Sequence, residues 1–348
     1  MMKRSSTTLI LLTLLTTSGC SLLPQQPDVS TGAPATLYDN VMIDTRNRQP
    51  VSLEAAASAL AKTDVVIIGE YHGHQASHLL QTRLLQELHN LNPSRILTME
   101  QFNLDHQPAL DDYLFGTIGE TELLEDAEAW DNYRGSYRPL VEYARQHNLP
   151  VIAANAPADV VRCVGRAGPD YLNTLPEEQR RQLPDKPFLD TPAYREKFVD
   201  AITGSHGTAD PAMIERMSNT YKAQLLRDNT MAMRILQARE RNPGHQVVHL
   251  TGTFHSEERL GTVALLQQRA PELSIVVLSP VFWPADEAKP PLADHLNKGD
   301  YLYLIQPLPR EFRDQERQRQ AMQQRFSGRA DIRCSSESEP VNEQGIEP

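Results

Sequence analysis

The chain has 348 residues, a formal net charge of −11, 40% hydrophobic residues and only 6% aromatic ones. That length can bury a sizeable core as one large domain, or as one domain with an insertion. The acidic balance lacks the basic surface that nucleic-acid recognition requires and excludes that class of partner.

Lys3 and Arg4 precede a short apolar run, Leu9 to Leu15, and then Thr-Thr-Ser-Gly-Cys20. The run is too short to span a bilayer and reads as a secretory signal over residues 1–19. A small residue followed by cysteine resembles a bacterial lipobox, so cleavage before Cys20 and lipidation of its thiol are expected. The mature protein is then anchored to a membrane of the bacterial cell envelope, on the periplasmic side, rather than spanning it. Ser21 in place of Asp suggests the outer membrane. Residues 20–36 are rich in Pro, Ser, Thr, Gly and Gln and read as a flexible tether.

The folded part is expected over residues 37–308. Leu37 to Ile43 alternates like a strand, and Ser52 caps a helix. Asp64-Val-Val-Ile-Ile-Gly69 is a buried strand running straight into Glu70-Tyr-His72. A helix over 75–91 follows, with Leu80, Leu84, Leu85 and Leu88 on one face, stopped by Asn92-Pro93. Further strands are expected at 95–100, 150–155, 246–252, 274–278 and 301–305, with helices near 107–115, 120–127 and 137–147. Repeated strand–helix alternation predicts an α/β fold, a mostly parallel sheet flanked by helices on both faces. Residues 157–225 carry no strand signal and are broken by prolines. They read as a smaller helical lid subdomain, too long for a crossover loop. Residues 309–348 form a polar tail, expected to be disordered beyond about 328. Cys163, in a helical stretch, and Cys334, in the tail, read as free thiols rather than a bridge.

Three strands end in chemistry-bearing side chains: Glu70 and His72, then Glu100, then His255 after Gly252. In a parallel sheet these ends share one edge, where open α/β sheets bind ligands. Two carboxylates and two imidazoles can act as acid and base or hold a divalent metal. His74 and His78, four apart, could ligate a metal but read as helix-entry histidines facing water. Asp228 reads equally as a support for His255 or as a surface acid. Trp130, Tyr133, Tyr137 and Tyr143 concentrate aromatic surface within residues 128–144, which suits a flat ligand, and a tyrosinate can hold ferric haem iron.

Gly69-Glu-x-His72 with His78, Met99-Glu100-Gln-Phe102 with Asp105-His-Gln-Pro108, Trp130 with Tyr137-Arg-Pro-Leu-Val-Glu-Tyr-Ala144, Ala154-Asn-Ala-Pro157, Arg227-Asp-Asn-Thr-Met-Ala232 and Gly252-Thr-Phe-His255 occur in order. The chain therefore resembles the ChaN-like haem-binding lipoproteins, within a wider group that includes erythromycin esterases and Tiki/TraB proteins. The resemblance implies an α/β domain with a smaller helical one, haem held between the protomers of a homodimer, a tyrosine on the iron, and a role in haem or iron uptake or storage. Tyr137 and then Tyr133 are the tyrosines it points to, with His72 and His255 as further haem contacts. The alternative is a hydrolase, an esterase or peptidase, in which Glu70 or Glu100 activates water, with or without a divalent metal, and His72 and His255 serve as acid or ligands. No Gly-x-Ser-x-Gly elbow is present, which argues against a serine nucleophile.

Overall fold

A computed structural model describes residues 32–203, 211–327 and Cys334. The expected signal, Cys20 and most of the tether lie outside the described residues, as does the tail beyond 327 apart from Cys334. In chain order the elements are β1 (Val41–Asp44), β2 (Gln49–Pro50), α1 (Leu53–Leu60), β3 (Val65–Glu70), α2 (Gln75–Leu91), β4 (Arg95–Asn103), α3 (Gln107–Phe115), α4 (Glu120–Asp126), α5 (Tyr133–Ser136), α6 (Arg138–Gln146), β5 (Val151–Asn155), α7 (Ala158–Ala167), α8 (Glu177–Gln182), α9 (Pro192–Thr203), α10 (Pro211–Arg241), β6 (Gln246–Gly252), α11 (Thr262–Arg269), β7 (Ile275–Phe282), β8 (Tyr301–Ile305) and α12 (Gln315–Ser327).

The eight described strands form one sheet in the order β2-β1-β8-β7-β3-β6-β4-β5. From β8 to β5 all neighbours run parallel, and the β1–β2 hairpin closes one edge antiparallel. The central strands β3, β6 and β4 are buried over nearly their whole length. Unbroken runs such as Val65-Val-Ile-Ile68 fit a sheet covered on both faces.

One face is covered by α1, α2 and α6, whose Leu60, Leu80, Leu84, Leu88 and Leu140 pack on Val66, Ile68, Leu97 and Leu250. The other carries α10 and α11, with Ala232, Ile235, Val263 and Leu266 against Val65, Ile67, Val247 and Val277. Burying one such leucine contributes about 1.5–3 kcal/mol, and truncating fully buried Leu84 to Ala removes about 2–5 kcal/mol. Helix starts follow local chemistry: the Ser52 hydroxyl accepts from the Ala55 amide at 3.2 Å, and His74 Nδ1 accepts from Ala76 at 3.2 Å.

Residues 157–225 are helical as expected, but they have no break at their far end. Helix α10 begins in this region and continues to Arg241, so its first half packs with α7 and its second half on the sheet. The free-thiol reading is overturned: Cys163 and Cys334 form a disulfide, joining fully buried α7 to the tail across 171 residues of sequence. The polar composition around Cys334 gave no hint that its side chain returns to a buried helix. No helix among the described residues is long and apolar enough to cross a membrane.

Candidate functional site

Strands β3, β6 and β4 are neighbours, so their carboxyl ends lie side by side. The last pair of the β3–β6 ladder sets Glu70 against Gly252. A register shift after Met99 in β4 leaves the alternation of a regular strand, and Glu100 and Gln101 both turn their side chains into the buried site. The expected gathering of Glu70, His72, Glu100 and His255 at one rim is what the structure contains.

Glu70 is buried and its carboxylate is saturated by donors. His72 Nδ1–H donates to Oε1 at 2.8 Å, the Tyr137 hydroxyl at 2.6 Å and the Gln101 amide at 3.2 Å, while the Gln81 amide donates to Oε2 at 2.6 Å. His72 is the member of the group that reaches solvent, with its side chain 44% exposed. Partial burial opposes its protonation, but the Glu70 hydrogen bond and the nearby Glu100 charge outweigh this and raise its pKa. Its ring stands edge-on to Trp130 at 4.9 Å, and Tyr71 stacks on Phe282 at 4.4 Å beside it. Gly252 permits this packing: a Cβ there would lie 2.8 Å from His72 Nε2.

Glu100 and His255 form a second layer. Glu100 Oε2 accepts from the Thr251 hydroxyl and the Gly252 amide, each at 2.7 Å. His255 lies between two acids, with Nδ1 2.8 Å from Asp228 Oδ1 and Nε2 3.4 Å from Glu100 Oε1. Burial disfavours its charge, yet Asp228 and Glu100 together push its pKa up to about 10, so it is an imidazolium at neutral pH. Burial works against the Glu100 charge as well, and His255, His72 and the Gly252 amide hold its pKa well below the usual carboxylate range. Asp228 is a buried partner of His255, not a surface acid. It also accepts from the Tyr194 hydroxyl at 2.7 Å and the Thr262 hydroxyl at 2.8 Å.

Other expectations change. His74 and His78 are buried, not turned to water. His74 donates to the Gln306 carbonyl at 2.7 Å, and His78 accepts from the Gly73 amide at 3.2 Å. These bonds fix the entry of α2 and leave no metal-binding pair. Tyr137 and Tyr133 are sealed in the core, with 0% and 2% exposure. Tyr137 spends its hydroxyl on Glu70, and the Tyr133 hydroxyl has no hydrogen-bond partner. Burial raises the pKa of both phenols, with the Glu70 charge adding to the effect at Tyr137.

A divalent ion finds no cage. Among the described residues no group of three or more His, Cys, Asp or Glu is arranged to hold one. The carboxylates that would supply such ligands already accept protein hydrogen bonds. For haem iron at this rim, His72 Nε2 is the reachable donor, because His255 has both nitrogens turned to carboxylates.

Gln81, Gln101, Tyr194, Thr251 and Gln224, whose amide is 3.2 Å from the His255 ring nitrogens, were not singled out from sequence. Gln101 and Thr251 adjoin flagged strand-end residues, a signal that could have found them. Tyr194 and Gln224 come from the helical region and carry no local sign.

The sequence profile described as "Haem-binding uptake, Tiki superfamily, ChaN" matches residues 56–266. Among solved structures, the chain is similar to the one titled "Cofacial heme binding to ChaN of Campylobacter jejuni", with a TM-score of 0.57, 19% identity and coverage of 77% of this chain and 98% of that one. It is more distantly similar to an erythromycin esterase, EreC, with a TM-score of 0.43 and 13% identity over 80% of this chain and 85% of that one. Among curated proteins, RETICULATA-RELATED 5, chloroplastic, from Arabidopsis thaliana is 27% identical over 217 residues, which is 58% of this chain. The match spans 28% of that relative's length.

Proposed function

Because the chain belongs to the haem-binding uptake family of the Tiki superfamily, ChaN, we propose that it is a lipid-anchored haem-binding protein of the bacterial cell envelope. It takes haem as cargo, in uptake or storage, between two copies of itself and with a tyrosine on the iron. The family match over residues 56–266 carries this reading. The cofacial haem named for the Campylobacter protein supports the paired arrangement. The Lys3-Arg4, apolar run and Gly19-Cys20 sequence supports the anchor.

Hemin titration of the purified chain, followed by absorbance, tests the binding. A saturable Soret shift, with sedimentation moving from one copy to two as hemin is added, is the expected result. An unshifted spectrum refutes the reading. Cys20→Ser should abolish incorporation of labelled palmitate in cells.

The strand-end cluster favours a second reading, a Glu/His hydrolase. His72 presents a half-exposed Nε2 while Glu70 holds Nδ1, the arrangement of an oriented general base, and the His255 imidazolium lies beside Glu100 to stabilise negative charge. A panel of esters and peptides tests it. Turnover abolished by His72→Ala supports this reading, and turnover that survives the change, or none at all, removes it.

A further inference from the structure

Helix α2 leaves the strand-end rim and returns antiparallel to the sheet, so its last turn lies at the opposite rim, near the start of β4. There His89 meets Tyr143 of α6 and His147 at that helix's end. The Tyr143 hydroxyl and His89 Nδ1 are 2.9 Å apart. The His147 ring is 4.3 Å from that of Tyr143 and 5.0 Å from that of His89. Tyr143 and His89 are half-buried and His147 is exposed, so the group is open to a ligand from outside. Leu91, two residues past His89, is an exposed apolar side chain at the same helix end.

We infer that Tyr143, with His89 as its proton acceptor, is the phenol that takes the iron of a ferric porphyrin. This rests on the haem-binding reading above and names its ligand. A phenol binds ferric iron as phenolate. The Tyr143 O–H bond breaks, its proton passes to His89 Nδ1, and the phenolate oxygen forms the axial bond to iron, which stays ferric.

That transfer needs a neutral imidazole. Burial, with the neighbouring His147 and Arg95, lowers the His89 pKa and keeps it neutral. Arg95 is itself buried, with Nε and Nη2 lacking hydrogen-bond partners, and its positive charge favours both a phenolate and porphyrin carboxylates. Other phenols in the matched stretch are less suited. Tyr137 and Tyr133 are sealed, Tyr71 donates to the Pro280 carbonyl, which cannot take a proton, and Tyr171 sits beside the Asp159 charge, which opposes a phenolate.

The test uses hemin and the whole protein. Wild type should show a phenolate-to-iron charge-transfer band and the resonance-Raman modes of bound tyrosinate. Tyr143→Phe should lose both and bind hemin at least about tenfold more weakly, with an unchanged melting temperature. His89→Ala should keep the band but weaken binding about 10–100-fold, as removal of a ligand's hydrogen-bond partner does. A band that survives Tyr143→Phe, or one lost instead in Tyr71→Phe, Tyr133→Phe, Tyr137→Phe or Tyr171→Phe, overturns the assignment while leaving haem binding intact. Failure of wild type to take up hemin overturns both.

Discussion

Asp228→Asn is the sharpest test of the buried charge arrangement. His255 titrates near 6.5 when unfolded and at about 10 in the fold. That displacement corresponds to about 5 kcal/mol of preferential stabilisation of the imidazolium. Below pH 6.5 both states are protonated and the stabilisation is complete. Between 6.5 and 10 the unfolded imidazole loses its proton while the native one keeps it, so stability falls across that window. His74, His89, His249 and His295 have lowered pKa values and are neutral in both states there, so they add nothing. His72 is raised and contributes with the same sign. Wild type should therefore lose up to about 5 kcal/mol from His255 between pH 6.5 and 10, a fall of about 2 M in the urea midpoint for a slope of about 2–3 kcal/mol/M. Asn keeps the shape but removes the carboxylate that bonds Nδ1 at 2.8 Å. It also turns a donor toward Tyr194 or Thr262. The variant should lose about 3–5 kcal/mol at pH 6.5, as broken buried pairs do, and most of the pH dependence above it. Urea unfolding followed by circular dichroism at half-unit pH steps reads both effects. A wild-type midpoint that stays flat from 6.5 to 9.5, or a variant with the wild-type slope, refutes the reasoning.

Three other outcomes are expected. Cys163→Ser should lower stability by up to about 5 kcal/mol, because the bridge closes a loop of 171 residues in the unfolded chain, and a reductant should destabilise wild type but not the variant. Gly252→Ala puts a methyl 2.8 Å from His72 Nε2; it should cost about 1–3 kcal/mol by overpacking, and NMR titration of His72 should show its raised pKa falling back as the ring leaves Glu70. Tyr137→Phe removes one of the donors to buried Glu70, so thermal unfolding should report a loss of about 1–3 kcal/mol.

The strand framework was readable because burial on both faces demands unbroken aliphatic runs, as in Val65-Val-Ile-Ile68, and because Pro93 and Ser52 mark helix ends by local sterics and hydrogen bonding. Glu70, Glu100 and His255 were readable as strand-end side chains, since one parallel sheet puts all such ends on one rim. What was hidden depends on contacts between distant segments. Nothing near Tyr194 says that its hydroxyl reaches Asp228, and nothing near Cys334 says that it returns to α7. His74 and His78 look like a polar helix entry. Only the closure of the chain around Gln306 and Glu70 buries them. Tyr137 and Tyr143 sit six residues apart in one motif, yet one faces the Glu70 carboxylate and the other the surface, a difference set by the packing of α6 and invisible in residue type.

The continuity of α10 limits how this protein could be recombined. At 31 residues the helix is about 46 Å long. It carries Tyr221 among the insertion's own aromatics, then Gln224 and Asp228 against His255, then Ile235 on the sheet. The helical region is thus not a detachable module. Excising or transplanting it would cut through the rod that holds the counter-charge of His255, so a chimaera joined at residue 225 would inherit a fractured centre, whereas one joined beyond Arg241 would move the region and its anchoring acid together.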